Sequence, residues 1–307
     1  MSKRVLLATE KAFAAVAVKG IESIFADAKY ELVKLENYKS KADFLGAVKG
    51  VDALIIRSDE VDKEVLEAAD SLKIVVRAGA GTDNIKVDIA KEKGVVAMNT
   101  PGQNSNAVAE LVFGMMVYIA RGQFNGKSGT ELQGKKLGIH AYGNVGRLVA
   151  KIAKGFGMEV FAFDTSAEKI EDMKKDNVHI VKDIVELYKT CDYVSLHIPK
   201  TKETTKSINY GLLSLMPAGA TLINTARVEV ICEESLLRIM SERKDFRYAT
   251  DVMPEAHDKF KEFGDRYYAT PKKMGAQTEE ANINAGLAAA RQIVDFFEKG
   301  DVRFKVN

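Results

Sequence analysis

Short apolar runs alternate with segments of helical period along almost the whole chain, and no other feature constrains the fold as strongly. The first series reads "RVLLAT", "FAAVAVKGIESIFA", "YELVKL", "KADFLGAV", "DALIIR", "KEVLEAA", "KIVVRAG", "VDIAKEKG" and "VVAMNT". Strands this short, separated by stretches long enough to cross back over a sheet, predict parallel pairing with helices on both faces up to about residue 100. A second series follows: "KKLGIH", a helix from about Val145, "EVFAFD", "AEKIEDMKK", "YVSLHI", "ATLINT" and "FRYATDV". The expected fold class is α/β, with two doubly wound parallel-sheet domains, and 307 residues accommodate both at about 150 each. Between the series, "PGQNSNAVAELVFGMMVYIARG" reads as a turn at Pro101 and Gly102 followed by a helix crossing between domains. Near the end, Thr278 as N-cap, acids in the first turn and Gly300 as the stop define a helix that returns to the first domain, ahead of the alternating "DVRFKV". The expected division is 1–101 with 284–307 against 102–283.

The second series opens like a dinucleotide site. In "KKLGIHAYGNVGRLVAKIAKGFGMEVFAFD" a strand leads into Tyr142, Gly143, Asn144, Val145 and Gly146, then a helix, then a strand ending at Asp164. Backbone amides at a glycine-bearing turn and a helix N-terminus suit a pyrophosphate, and an acid closing the next strand suits ribose hydroxyls. This makes 102–283 a Rossmann domain and NAD the expected cofactor, because the Asp164 carboxylate would repel the 2′-phosphate of NADP. Ala141 stands where the first glycine belongs. Positive φ would cost an alanine about 1 kcal/mol, so the turn is expected to have negative φ.

Five further pieces keep a fixed order: "RAGAGTDNI" at 77–85, "VSLHIP" at 194–199, "LINTAR" at 222–227, "TDVMPE" at 250–255 and "TPKKMGAQTEEA" at 270–281. In this order and spacing the chain resembles the D-isomer-specific 2-hydroxyacid dehydrogenases over nearly its whole length, particularly the branch that oxidises 3-phosphoglycerate. The resemblance implies that Arg227 holds the substrate carboxylate and polarises the carbonyl, a task suited to a permanently charged fork. It places Asp251 against the nicotinamide carboxamide, with Thr225 and Ala226 also on the cofactor. His197, Ile198, Pro199 and Thr204 would line the adenine and phosphate region. It further implies a flavodoxin-like substrate domain and the short form of the enzyme, without a C-terminal regulatory domain.

The family's histidine after "TP" and the glutamate that orients it are both out of register here. Lys273 sits beside Met274 and Gly275 in the histidine's place, one residue further from Pro271, and Ala256 occupies the glutamate's, with Glu255 one position early. Lys273 is therefore the expected acid/base, its pKa brought down from about 10.4 by burial and by the positive charge of Arg227 and Lys272. Absence of the glutamate fits, since a neighbouring carboxylate would hold the lysine protonated.

Substrate residues are expected at strand ends of the first domain: Arg57 and Ser58 in "IIRSDE", and Arg77 with the Gly79, Ala80 and Gly81 amides in "VVRAGAGTDN". Two arginines suit a phosphate and a carboxylate. Lys127 is a candidate for adding charge across a homodimer interface. A glyoxylate or hydroxypyruvate reductase is the alternative within the class, and a non-catalytic NAD(H)-sensing protein the alternative outside it.

Composition excludes several partners. Lys+Arg 45 against Asp+Glu 43 leaves a net charge of +2 with no basic block, so a small molecule is expected rather than nucleic acid. Cys191 and Cys232 lack metal-ligand spacing, so neither a metal nor a disulfide is expected, and a reducing cytoplasm suits the chain. The apolar stretch "LVFGMMVYIA" is about half of a membrane span, and no membrane partner is expected.

Overall fold

Short runs of four to six residues, mainly apolar in all but β2, form the strands of the first unit, and polar residues between them cap two of its helices. In chain order these are β1 (Arg4–Thr9), α1 (Ala15–Asp27), β2 (Glu31–Glu36), α2 (Lys41–Ala47), β3 (Ala53–Ile56), α3 (Lys63–Ala68), β4 (Ile74–Arg77), α4 (Val87–Glu92) and β5 (Val96–Asn99). The computed structural model describes residues 2–307. Ser40 caps α2 through a reciprocal pair with Asp43, and Asp62 caps α3. All strands pair in parallel in the order β2-β1-β3-β4-β5. β3, "ALII", is buried at all four positions and central, whereas β2, "ELVKLE", carries charges and lies at the edge.

The second unit contains α5 (Ser105–Ala120), β6 (Lys136–His140), α6 (Asn144–Gly155), β7 (Glu159–Phe163), α7 (Ala167–Lys175), β8 (His179–Ile180), α8 (Ile184–Thr190), β9 (Tyr193–Leu196), α9 (Tyr210–Leu213), β10 (Thr221–Asn224), α10 (Glu233–Glu242), β11 (Arg247–Thr250), α11 (His257–Lys261) and β12 (Tyr267–Ala269). Its parallel sheet runs β8-β7-β6-β9-β10-β11-β12, a Rossmann order with one added strand. The order reverses between β6 and β9, so the loops following these two strands mark the switch point where doubly wound sheets bind ligands. Each sheet has an apolar core on both faces.

The last helix, α12 (Glu279–Lys299), starts at the Thr278 cap and stops at Gly300, φ 67°. It packs along its length on α1 and over β3 and β4. One compact unit accordingly holds the chain up to Asn104 together with Gln277–Asn307, and the other holds Ser105–Ala276. These breaks differ from the expected 101/102 and 283/284 because each falls just before a helix, and a helix buries one continuous face. α5, expected to cross between domains, belongs to the second unit and packs on α6. The alternating "DVRFKV" forms a turn with a single bridge, Lys305 to Met98, rather than a strand.

Candidate active site

The turn from β6 into α6 is set by how closely the helix approaches the strand. A Cβ on Gly146 would lie 2.3 Å from the Ala141 carbonyl oxygen, so only glycine permits this approach. Ala141 itself takes φ +82°, correcting the expectation of negative φ. Its amide donates to the Phe163 carbonyl at 2.9 Å and the next amide, of Tyr142, donates to Asp164 Oδ2 at 2.7 Å. These bonds and the α6 packing hold the alanine where glycine is usual, against about 1 kcal/mol of strain.

Asp164 Oδ1 accepts the Ser166 amide at 2.9 Å, so one carboxylate joins the ends of β6 and β7. Tyr142 buries its ring and donates its hydroxyl to Asp176 at 3.1 Å, so it contributes backbone to the turn. Asn144 and Val145 open α6, whose N-terminus has no side-chain cap, and a Cβ on Gly143 would meet no atom within 4 Å. Open space, uncapped amides and a fixed acid fit a dinucleotide's pyrophosphate and ribose.

On the same edge, His197 follows β9. Its amide donates to the His140 carbonyl at 2.9 Å and its Nε2 lies 2.9 Å from Ser195 Oγ. Burial pushes its pKa down to about 3, and that of His140 to about 4, so both rings are neutral. Ile198 is buried, and the carbonyl of Pro199 accepts the Thr204 hydroxyl at 2.6 Å, closing the turn.

Beyond β10, Asn224 braces the bend that presents Arg227. Its Oδ1 accepts the Ala226 amide at 2.9 Å and its Nδ2 donates to the Arg227 carbonyl at 3.1 Å. The Ala226 carbonyl then receives both Arg227 Nη1 at 3.0 Å and Lys273 Nζ at 3.4 Å, so the two expected catalytic cations converge on one oxygen. Thr225 is buried with its hydroxyl unpartnered.

Asp251, 1% exposed after β11, accepts the Gly275 amide through Oδ2 at 2.7 Å, and a side chain at 275 would collide with that oxygen. Its other oxygen, Oδ1, has no hydrogen-bond partner, the acceptor that a carboxamide N–H would satisfy. Burial raises the Asp251 pKa, opposed by the Gly275 amide and the charge of Lys273. Two premises about Lys273 need correction: its side chain is exposed rather than buried, and a carboxylate, Asp251, is within its electrostatic reach. The reason is local. Thr270 Oγ1 donates to the Lys272 carbonyl at 2.7 Å, and this short turn leaves both lysines at the surface.

The first unit places the remaining residues. Arg57 follows β3 with Nη1 on the Lys11 and Ala12 carbonyls at 3.1 and 3.2 Å and Nη2 on Asn282 Oδ1 at 2.7 Å, its guanidinium 5.0 Å from the centre of the Phe13 ring. Arg77 Nε donates to the Arg57 carbonyl at 3.1 Å. Ser58 and Ala80 are exposed, and Gly79 and Gly81 half-buried. Three bracing residues escaped sequence reasoning. Asp59 accepts the Glu10 and Arg57 amides, Asn224 holds the Arg227 bend, and Glu233 accepts the Glu255 and Ala256 amides at 2.9 and 2.8 Å. Of these, only Asn224 had a local signal, an amide closing the apolar run "TLIN".

Residues 106–271 match the model of the D-isomer specific 2-hydroxyacid dehydrogenase NAD binding domain. The chain belongs to that family. Its second unit is the family's NAD-binding domain, and the cofactor is NAD. The crystal structure of NAD+-bound 3-phosphoglycerate dehydrogenase from Entamoeba histolytica is 47% identical, with TM-score 0.87 over 100% of this chain and 99% of that one. D-3-phosphoglycerate dehydrogenase of Methanocaldococcus jannaschii is 37% identical over 83% of this chain, which spans only 51% of that protein's length. Hydroxypyruvate reductase of Thermotoga maritima is 36% identical over 86% of this chain and 91% of its own. Among the described residues, no helix is long and apolar enough to cross a membrane and no cluster of His, Cys, Asp or Glu could hold a metal ion.

Proposed function

We propose that this family member oxidises 3-phosphoglycerate to 3-phosphohydroxypyruvate, with NAD taking up the hydride. The convergence of Arg227 and Lys273 on the Ala226 carbonyl beside half-paired Asp251 carries the reading. Arg227 draws the substrate carboxylate and polarises C2–O, while Lys273 Nζ, when neutral, accepts the hydroxyl proton as the C2 hydrogen leaves with its electron pair. In this reading the unit that runs to Asn104 and resumes at Gln277 is the substrate domain, where Arg57, Ser58, Arg77 and the Ala80 and Gly81 amides take the phosphate, the Gly79 amide being already given to the Arg77 carbonyl at 2.9 Å. His197, Ile198, Pro199, Thr204, Thr225 and Ala226 border the cofactor. A cytoplasmic homodimer completes it: the two free cysteines suit a reducing compartment, and Leu111, Tyr118, Tyr268 and the 65%-exposed Phe124 form an apolar surface suited to a second copy.

A 340 nm assay with NAD should show clear preference for 3-phosphoglycerate over unphosphorylated 2-hydroxy acids, with an alkaline optimum. One observation favours a second reading, reduction of hydroxypyruvate or glyoxylate. Both Nη atoms of Arg57 already bond within the chain, which weakens the case for a phosphate clamp. Faster turnover of hydroxypyruvate and NADH would establish that alternative. Tight NADH binding without turnover of any member of the panel would favour a sensor instead.

A further inference from the structure

The edge of the seven-stranded sheet where β11 begins carries a second concave site, at the opposite end of the strand from Asp251. A cavity of about 230 Å³ is lined by Lys127, Ser128, Lys244, Arg247, Asp265 and Arg266, all within the second unit. Arg247 opens β11 and pairs with Thr221 at the start of β10, so the site faces away from the cofactor edge by the length of the strand.

Its charge is unbalanced. Surface lysines elsewhere, such as Lys34, Lys41, Lys174 and Lys200, each meet a carboxylate. The charged groups of Lys127, Lys244 and Arg247 meet none among the described residues. Asp265, the acid in the wall, accepts instead from Asn125 Nδ2 at 3.3 Å. Arg266 is fixed by Nη1 bonds to the carbonyls of Met240, Arg243 and Phe246, which hold its charge in the wall. Four cations gathered in one hollow repel each other, and a concave surface focuses their field on whatever enters.

Backbone strain lies at the rim. Gly122, Gln123 and Phe124 take φ of 56°, 56° and 58° in succession, a left-handed turn containing two non-glycine residues, tied down by Gln123 Nε2 on the Tyr267 carbonyl at 2.7 Å. Such strain persists where its surroundings over-determine it, and it gathers at ligand clamps. We propose that this cleft binds a small polyanion of the phosphate-ester or diphosphate class, held by Lys127, Lys244, Arg247 and Arg266 with the Ser128 hydroxyl as an added donor. The site lies apart from the residues proposed for the oxidation, and Phe124 at its rim also borders the apolar surface proposed for a second copy, so the titration uses the protein in its native oligomeric state.

Inorganic pyrophosphate is the probe, titrated with NAD at saturation and ionic strength held constant by sodium chloride. The melting temperature should rise saturably. A Lys244→Gln, Arg247→Gln double variant should need at least about tenfold more pyrophosphate, with NADH binding unchanged, and Lys244→Arg with Arg247→Lys should keep the response. An equal response in the glutamine variant puts the anion elsewhere and overturns the proposal, as does a response no larger than chloride gives. Hydrogen exchange on the wild-type chain tests the same point without variants. Pyrophosphate should slow amides in 119–129 and 243–248, and slowing confined to other segments overturns it.

Discussion

After β1 the chain reaches α1 through Glu10–Ala14 without a glycine; after β6 it reaches α6 through Ala141–Gly143, with Gly146 one turn further. Both are first βα turns of doubly wound parallel sheets, yet they end up filled by different things. In the first, Asp59 takes the Glu10 amide, Arg57 takes two carbonyls and Phe13 is buried beneath, so the protein's own side chains occupy the turn. In the second, the side chain of Asp164 holds the Tyr142 amide from the β7 side, and the space over Gly143 stays open. Topology supplies the same hollow twice. Whether it becomes a nucleotide site depends on which side chains are small enough to stay out of it.

The largest expected effect probes what the open edge does. Lys273→Met keeps length and apolar bulk but removes the proton acceptor, so turnover should fall about 10²- to 10⁴-fold with NADH affinity intact. Near-normal turnover would move the base elsewhere, to Lys272 or His257.

Acid should separate the units next. All four histidines of the chain lie in the second unit. His140 and His197 have folded-state values of about 4 and 3, below the ordinary value of about 6.5. The unfolded chain therefore binds more protons in between, and stability should be lost as pH falls from about 6.5 toward 3, levelling off below. Hydrogen exchange should find protection lost first between Ser105 and Ala276; earlier loss in the first unit would break the comparison.

Gly146→Ala forces a Cβ against the Ala141 carbonyl and should cost about 1–3 kcal/mol in denaturant unfolding and weaken NADH binding. Gly46→Ala in α2, where a Cβ meets nothing within 4 Å, should instead be neutral or stabilise by about 0.4–1 kcal/mol. Arg57→Ala should destabilise by about 0.5–1.5 kcal/mol through loss of its bonds to the first turn, leaving NADH affinity alone. An unchanged melting temperature with a raised KM would make Arg57 a substrate clamp rather than a brace. The smallest change, Ala141→Gly, should stabilise by up to about 1 kcal/mol by relieving the positive φ; loss of stability there would mean that the alanine is not strained.

Sequence periodicity made the strands and most helices legible because burial on a sheet leaves a local signature, four apolar residues in a row for β3 and an N-cap before α12. The close approach at Gly146 and the place of Asp164 directly after β7 were legible for the same reason, since both follow from the strand-turn-helix-strand spacing around them. What escaped depends on partners distant in sequence. The φ of Ala141 is set by the approach of α6 and by bonds to residues of the next strand, 163 and 164. The engagement of Arg57 involves Asn282, 225 positions away. The exposure of Lys273 follows from a turn pinned by Thr270, which composition alone does not show. Domain breaks slipped by a few residues because loops carry weaker signals than helices.

If the cofactor's carboxamide is what the unpaired oxygen of Asp251 receives, ligand occupancy is tied to the lifetime of the polypeptide. A desolvated acceptor left without a donor penalises the empty chain, and a bound amide that satisfies it stabilises the folded form by mass action. Degradation that samples the opened chain should therefore run faster when the dinucleotide is scarce, so the quantity of this protein in a cell would follow the size of the NAD pool even at constant synthesis.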